Sequence, residues 1–221
     1  MRTLVIGDIH GCHTALITLL NAVKPAPEDT LVFLGDYIDR GPASRQVIET
    51  LLELRRSCSP VFLRGNHEIM ILEAREDFEK NKAFRSYGGV QTLQSYDALD
   101  DEDWAALIPA AHWEFFERTE KFFETGTDIF VHGCAAPDLG MREQPDWIVY
   151  WEKFDRLRPH KSGKRVICGH TPQHSHRPKD TGFGVCIDTG AVYLGWLTCL
   201  DANSGRYWQA DERGNTREGL L

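Results

Sequence analysis

The sequence predicts an α/β domain built on parallel strands. Three short, continuous apolar runs, Leu4-Val5-Ile6, Leu31-Val32-Phe33-Leu34 and Val61-Phe62-Leu63, each meet a glycine within two residues. Runs of this length, apolar at every position, belong to strands buried on both faces. The first is followed by Ala15, Leu16, Leu19, Leu20 and Val23, and the second by Val47, Ile48, Leu51, Leu52 and Leu54, both at helical spacing. Ile69, Met70, Ile71 and Leu72 start another helix after the third. The order strand, helix, strand, helix, strand, helix is a doubly repeated right-handed β-α-β unit.

Composition sets the outer limits. The chain has 221 residues, 42% hydrophobic and 26% charged, enough to bury one sizeable core, so a single domain over 1–221 is expected. With 33 acidic against 25 basic residues, a formal charge of -8, and no basic run, nothing tracks a phosphate backbone, and a dedicated nucleic-acid binder is not expected. The six cysteines, Cys12, Cys58, Cys134, Cys168, Cys186 and Cys199, form no C-x-x-C pair, which fits reduced thiols. Arg2-Thr3-Leu4-Val5-Ile6 is too short for a signal-peptide core, and no apolar run approaches the roughly 20 residues of a membrane span. A cytoplasmic chain without a membrane partner is the expectation.

Residues 73–127 break the alternation with acidic helical stretches and aromatics at Trp104, Trp113, Phe115, Phe116, Phe122 and Phe123. This segment is read as a helical insert whose aromatics fill core. Strand signals return at Ile129-Phe130-Val131, Val166-Ile167-Cys168, Val185-Cys186-Ile187, Leu194 to Leu200 and Tyr207-Trp208. Short glycine-rich turns such as Asn203-Ser204-Gly205 predict hairpins between them, and the polar tail from Asp211 is expected to fray.

In parallel sheets, ligands gather beyond the carboxyl ends of the strands. Three polar clusters lie there: Gly7-Asp8-Ile9-His10-Gly11, Gly35-Asp36-Tyr37-Ile38-Asp39-Arg40-Gly41 and Gly65-Asn66-His67-Glu68. Two later strands end on histidine, at Val131-His132-Gly133 and Cys168-Gly169-His170-Thr171. A lone Gly-Asp is ordinary turn chemistry, and a lone histidine is ordinarily a solvated or hydrogen-bonded surface group. That reading is kept for His13, His112, His160, His174 and His176. It fails for Asp8, His10, Asp36, Asn66, His132 and His170, which recur at successive strand ends. Their mix of carboxylate, amide oxygen and imidazole suits Mn, Fe or Zn. Two divalent ions about 3.5 to 4 Å apart can clamp a phosphoryl group and acidify a shared water, and such a pair needs one bridging carboxylate.

These motifs, with Leu63-Arg64-Gly65-Asn66-His67-Glu68, Gly169-His170-Thr171-Pro172 and Ile187-Asp188-Thr189-Gly190-Ala191-Val192, resemble the phosphoprotein phosphatase family of metallophosphoesterases. The compact bacterial and phage-type branch is the most similar, and the bacterial diadenosine tetraphosphatases also resemble it. The resemblance implies a calcineurin-like α/β fold with a central β-sandwich flanked by helices. It implies that Asp8 and His10 bind a first metal, that Asp36 bridges, and that Asn66, His132 and His170 bind a second, with Mn²⁺ favoured. It further implies that His67 is a general acid held by Asp39 and that Arg40 grips the phosphate. The chemistry agrees, because a carboxylate can orient a proton-donating imidazole and a guanidinium fits phosphate oxygens in bidentate fashion.

Arg64 reads as a structural ion-pair partner, and Glu68 as a first-turn acid or structural partner. Two departures bear on specificity. Cys134-Ala135 follows His132-Gly133 where many relatives carry a second glycine, and Lys153 follows Trp151-Glu152 where phage-type relatives carry a phosphate-binding arginine. Lys153, Arg156 and Arg158 are therefore weighed as phosphate contacts against a plain charged surface. The regulatory-subunit signatures of the larger eukaryotic phosphatases are missing, and no such subunit is inferred.

Three functions compete. A phosphomonoester hydrolase acting on phosphoserine, phosphothreonine or phosphotyrosine leads. A diadenosine polyphosphate hydrolase would use the same centre with a different rim. A non-catalytic binding module would show an eroded ligand or acid, and every expected position is intact.

Overall fold

Two mixed sheets face each other in the computed structural model, which describes residues 1–57 and 59–221; Cys58 lies outside the described residues. The elements run β1 (Thr3–Ile6), α1 (His13–Val23), β2 (Thr30–Phe33), α2 (Ser44–Ser57), β3 (Val61–Phe62) and α3 (Asn66–Glu76). Then come α4 (Phe78–Phe84), a π turn (Arg85–Gly89), α5 (Val90–Ser95) and α6 (Ala110–Glu117). The remainder is β4 (Phe123–Glu124), β5 (Asp128–Phe130), α7 (Asp146–Trp151), β6 (Arg165–Cys168), β7 (Lys179–Asp180), β8 (Gly184–Cys186), β9 (Leu197–Asp201), β10 (Arg206–Ala210) and β11 (Thr216–Leu220). One sheet has the order β11-β10-β9-β1-β2-β3 and the other β4-β5-β6-β8-β7.

The uninterrupted apolar strands have a direct structural cause. Successive side chains point to opposite faces, and both faces are covered. Val5, Val32, Leu34 and Leu63 meet Phe130, Ile167, Val185 and Ile187 between the sheets. Leu4, Ile6, Leu31 and Phe33 turn outward, into one cluster with Leu16, Leu19, Val47, Ile48 and Leu51 of α1 and α2. Each fully buried side chain of this size contributes about 1.5 to 3 kcal/mol. The aromatic expectation holds for Trp104, Trp113, Phe115 and Phe116, all buried in that cluster.

β1, β2 and β3 are mutually parallel, as the β-α-β reading requires. The second half differs from expectation. β5, β6 and β8 are also parallel, so a crossover carrying α7 joins β5 to β6 where hairpins were predicted. Hairpin pairing is confined to β4–β5, β7–β8 and β9–β10–β11. Phe123–Glu124 is a strand paired with β5, although the helical segment was expected to reach 127. The tail does not fray: Thr216–Leu220 pairs with β10, and the Arg217 guanidinium lies 4.2 Å from the Trp196 ring centre. His112 and His160 are buried, not at the surface; the Tyr96 hydroxyl meets His112 Nδ1 at 2.7 Å and His160 Nε2 meets the Leu139 carbonyl at 2.8 Å. Among the described residues no helix is long and apolar enough to cross a membrane.

Candidate active site

Parallel strands in both sheets bring their carboxyl ends to one edge of the sandwich, and the polar clusters meet there. The loop after β1 carries Asp8 and His10, that after β2 Asp36, Asp39 and Arg40, and Asn66 and His67 open α3. His132 and His170 follow β5 and β6. His10, Asp36, Asp39, Arg40 and His170 all have positive φ, between 48° and 74°. Such conformations cost about 1 to 3 kcal/mol each and persist only where the surroundings over-determine them.

Glu68 supplies much of that determination. Fully buried, its carboxylate accepts the N–H groups of Gly65, Asp36 and Tyr37, each at 2.9 Å. It thereby locks the Asp36 turn onto the start of α3. Burial and nearby Asp36 push its carboxyl up to about 7 despite those bonds. Arg64 is structural as expected, but through carbonyls: it donates to Thr119 Oγ1 at 2.8 Å and to the Phe116 and Glu117 carbonyls at 3.2 and 2.7 Å, closing the end of α6.

Asp36 sits between two histidine groups. Its Oδ2 is 3.5 Å from His10 Nε2, and its Oδ1 is 3.4 Å from His132 Nε2. Asn66 Oδ1 lies 3.0 Å from His132 Nε2 and 2.9 Å from His170 Nδ1. Two sets, His10 with Asp36 and His67, and Asp36 with His132 and His170, each place their ligand atoms within 4.8 Å of one another. Asp8 is in neither set; its carboxylate accepts the His170 N–H at 3.0 and 3.2 Å. The structure also brings in Asp188, which was not singled out as a site residue. It is buried beside Asp8, and burial pushes it up to about 7. The signal was available, since Val185-Cys186-Ile187 runs into it as the other parallel strands run into the polar residues of the cluster.

The donor set fits divalent cations. His10 Nδ1 meets the Ile38 carbonyl at 2.9 Å, His132 Nδ1 the Leu34 carbonyl at 2.9 Å, and His170 Nε2 the Trp151 carbonyl at 3.1 Å. A carbonyl only accepts, so these nitrogens carry the protons and each neutral ring turns its lone pair inward. Arg40 Nη1, a donor, meets His10 Nε2 at 2.6 Å, which agrees with that tautomer. Lone pairs of His132 and His170 thus lie 3.2 Å apart beside the oxygens of Asp36 and Asn66, an arrangement that a cation relieves. Burial lowers His10, and takes His170 down to about 4. His132 moves up because Asp36 outweighs its burial. Burial, Asp188 and Asp36 raise Asp8. Asp36 stays low because His132, His67 and His10 outweigh its burial.

A second unit adjoins the first. His67 Nδ1 is 2.6 Å from Asp39 Oδ2, both groups are buried, and His67 Nε2, 4.0 Å from Asp36 Oδ2, is buried without a hydrogen-bond partner among the described residues. Burial raises Asp39 and brings His67 down to about 4. Arg40 is half-buried, with its guanidinium carbon 5.8 Å from the Tyr193 ring centre. Lys153 is exposed and lines an 810 Å³ cavity with His170, His174, Lys179 and Tyr193. Arg158 folds back onto the Leu157 carbonyl at 2.8 Å, and Arg156 is exposed.

Residues 1–187 match the family model for calcineurin-like phosphoesterases. The chain belongs to that family. It is a metallophosphoesterase, a hydrolase acting on phosphoester bonds, and calcineurin-like metallophosphoesterases use divalent metals. The serine/threonine-protein phosphatase 1 of Salmonella typhimurium is 33% identical over 88% of each chain. An asymmetrical bis(5'-nucleosyl)-tetraphosphatase, PrpE, of Anoxybacillus flavithermus is 27% identical over 89% of this chain and 88% of its own. Among solved structures, a putative diadenosine tetraphosphatase superposes with TM-score 0.67 at 20% identity, covering 99% of this chain and 93% of that one. A cold-active protein-tyrosine phosphatase of a psychrophilic Shewanella superposes with TM-score 0.69 at 17% identity, covering 100% and 80%. These superpositions support the calcineurin-like fold.

Proposed function

We propose that this metallophosphoesterase works as one domain and hydrolyses phosphomonoesters of phosphoserine and phosphothreonine in proteins. The observation that carries the reading is the buried Asp39–His67 pair with Nε2 left open toward the cluster. A seryl or threonyl alkoxide is a strongly basic leaving group and needs a proton, whereas a nucleotide phosphate leaves without one. A site that commits a buried carboxylate to orienting an imidazole is equipped for the harder departure. The 33% identical Salmonella protein phosphatase supports the same class.

Two Mn²⁺ ions, one held by Asp8 and His10, the other by Asn66, His132 and His170, with Asp36 shared, would supply positive charge to the phosphoryl oxygens and acidify a water. Arg40 binds the remaining phosphate oxygens through its planar fork. His67 acts in its doubly protonated form, which the bound phosphoryl charge favours against the lowering effect of burial: Nδ1–H stays on Asp39 and the Nε2 proton goes to the departing oxygen. The inter-sheet packing beneath these loops keeps the groups in register.

A dinucleotide polyphosphatase is the second reading, favoured by the 27% identical PrpE relative and by the 810 Å³ cavity where Lys153 and Lys179 stand beside His170. The two are separated by rates on phosphoseryl and phosphothreonyl peptides and on diadenosine tetraphosphate, measured with Mn²⁺-loaded enzyme. Higher kcat/KM on the peptides is expected. Higher kcat/KM on the dinucleotide contradicts the leading reading.

A further inference from the structure

The π turn and the helix that follows it, α5, reach back under the loop after β2. Arg40 N–H donates to the Gly88 carbonyl at 3.0 Å, and Asp39 N–H donates to Thr92 Oγ1 at 2.8 Å. Two successive amides of a positive-φ stretch are thus held by residues about fifty positions later in the chain. The Thr92 hydroxyl also donates to Asp39 Oδ1 at 2.6 Å and lies 2.9 Å from Ser44 Oγ, which itself receives the Asp39 N–H at 3.1 Å. Asp39, Ser44 and Thr92 are all fully buried.

A hydroxyl has one proton and two lone pairs. Thr92 spends the proton on Asp39 Oδ1 and the lone pairs on the Asp39 amide and Ser44. Asp39 therefore has one oxygen fixed by Thr92 and the other, Oδ2, free to take His67 Nδ1 at 2.6 Å. No other side-chain hydroxyl meets Asp39 Oδ1 among the described residues. Removing this one leaves a buried carboxylate oxygen without a donor, and the carboxylate can rotate away from the imidazole.

We infer that Thr92 is a positioning residue for the proposed general acid: its hydroxyl orients Asp39, and through Asp39 it aims His67 Nε2 at the leaving group. This rests on the assignment of His67 as the acid. It gives the α5 segment, to which no site residue had been assigned, a part in the reaction.

The test compares Thr92→Val, nearly isosteric but without the hydroxyl, with Thr92→Ser, which keeps it, using His67→Ala as reference. Each metal-loaded enzyme is assayed on a phosphoseryl peptide and on p-nitrophenyl phosphate, whose stabilised phenolate needs little proton assistance. The His67 Nδ1 proton resonance is followed separately in the metal-free proteins. Since a general acid is worth about 10² to 10⁴ in rate, Thr92→Val should slow the peptide by about tenfold more than p-nitrophenyl phosphate and should shift or broaden the resonance. Thr92→Ser should restore both. Ser44→Ala, which removes only the hydroxyl beside Thr92, should act in the same direction to a smaller extent, and it serves if Thr92→Val does not fold.

Equal slowing of both substrates by Thr92→Val and Ser44→Ala, while His67→Ala keeps its bias, overturns the inference alone. If His67→Ala shows no bias, the acid assignment fails, and with it the part assigned to Thr92 in the reaction. An unmoved resonance in both variants also overturns the inference.

Discussion

Arg40 shows how much of the site rests on single side chains. Its guanidinium reaches the histidine cluster directly, 2.6 Å from His10 Nε2, and is backed by the Tyr193 ring. Arg40→Ala should lower kcat and raise KM together for p-nitrophenyl phosphate, with kcat/KM falling by about 10² or more, the cost of losing a preorganised donor to a charged phosphoryl group. Arg40→Lys should recover only part of it, because an ammonium is a point charge without the two-donor fork. Kinetics for the Lys variant equal to the parent would take Arg40 off the phosphate. At this scale the sequence was informative for residues that announce themselves beside a strand end, such as Asp8, His10 and Asn66. It was silent on Thr92 and Gly88, whose contribution exists only through contact with a loop about fifty positions away.

Elements differ in how openly their sequence states them. β1, β2 and β3 were legible because both faces are buried and the runs are apolar throughout. β11 was not, because residues 216, 218 and 220 are exposed, so its residues carry no apolar periodicity. The crossover between β5 and β6 was missed because its helix, Asp146–Trp151, is only six residues long, too short for a 3.6-residue pattern. The π turn is where an element's geometry reaches the chemistry. Gly88 has φ 112°, and a Cβ there would meet Arg40 Cγ at 2.6 Å and Arg40 N at 2.8 Å. Gly88→Ala should destabilise by about 1 to 3 kcal/mol and lower kcat/KM by displacing Arg40. Gly126→Ala, where nothing lies within 4 Å of the added carbon, is the control expected to change neither. Thermal unfolding and steady-state kinetics on both variants check this.

The start of β1 is clasped to the turn before β2 by another charged device. Asp29 accepts from the Arg2 backbone N–H at 2.8 Å, Arg2 Nη2 at 2.6 Å and the Ala26 N–H at 3.0 Å, and the Arg2 bond in particular lowers its carboxyl well below the usual range. A depressed folded-state value means that the stabilisation is complete above the unfolded value of about 3.9 and is lost as pH falls below it. Asp29→Asn should therefore cost stability near neutrality, and the gap from the parent should narrow below about pH 4. Denaturant midpoints across that range provide the check, and a constant gap would remove the ion pair from the account.

For the molecule as a whole, the puzzle is charge. A chain of formal charge -8 must take in a negatively charged phosphoester, and at the edge where the strands converge it buries Asp8, Asp36, Asp39, Glu68 and Asp188. Arg40 alone does not balance these groups. The inward-facing lone pairs of His132 and His170, 3.2 Å apart, mark where the missing positive charge belongs. The sandwich makes this possible, since the parallel strands of its two sheets end at one edge and bring side chains from residues 8 to 188 together there. The parallel half of its first sheet, β1, β2 and β3, was readable from the sequence, while the way the second sheet closes on it was carried by the family resemblance. The central claim is that this cluster is a dinuclear centre hinged on Asp36, and metal content measured alongside turnover tests it most directly. Chelator-stripped protein titrated with Mn²⁺ should bind two ions per chain and regain activity in step with them, and Asp36→Asn should lose more activity than any single terminal-ligand variant because it alone serves both ions. Full activity in exhaustively metal-free protein, or saturation at one ion with full turnover, would contradict it.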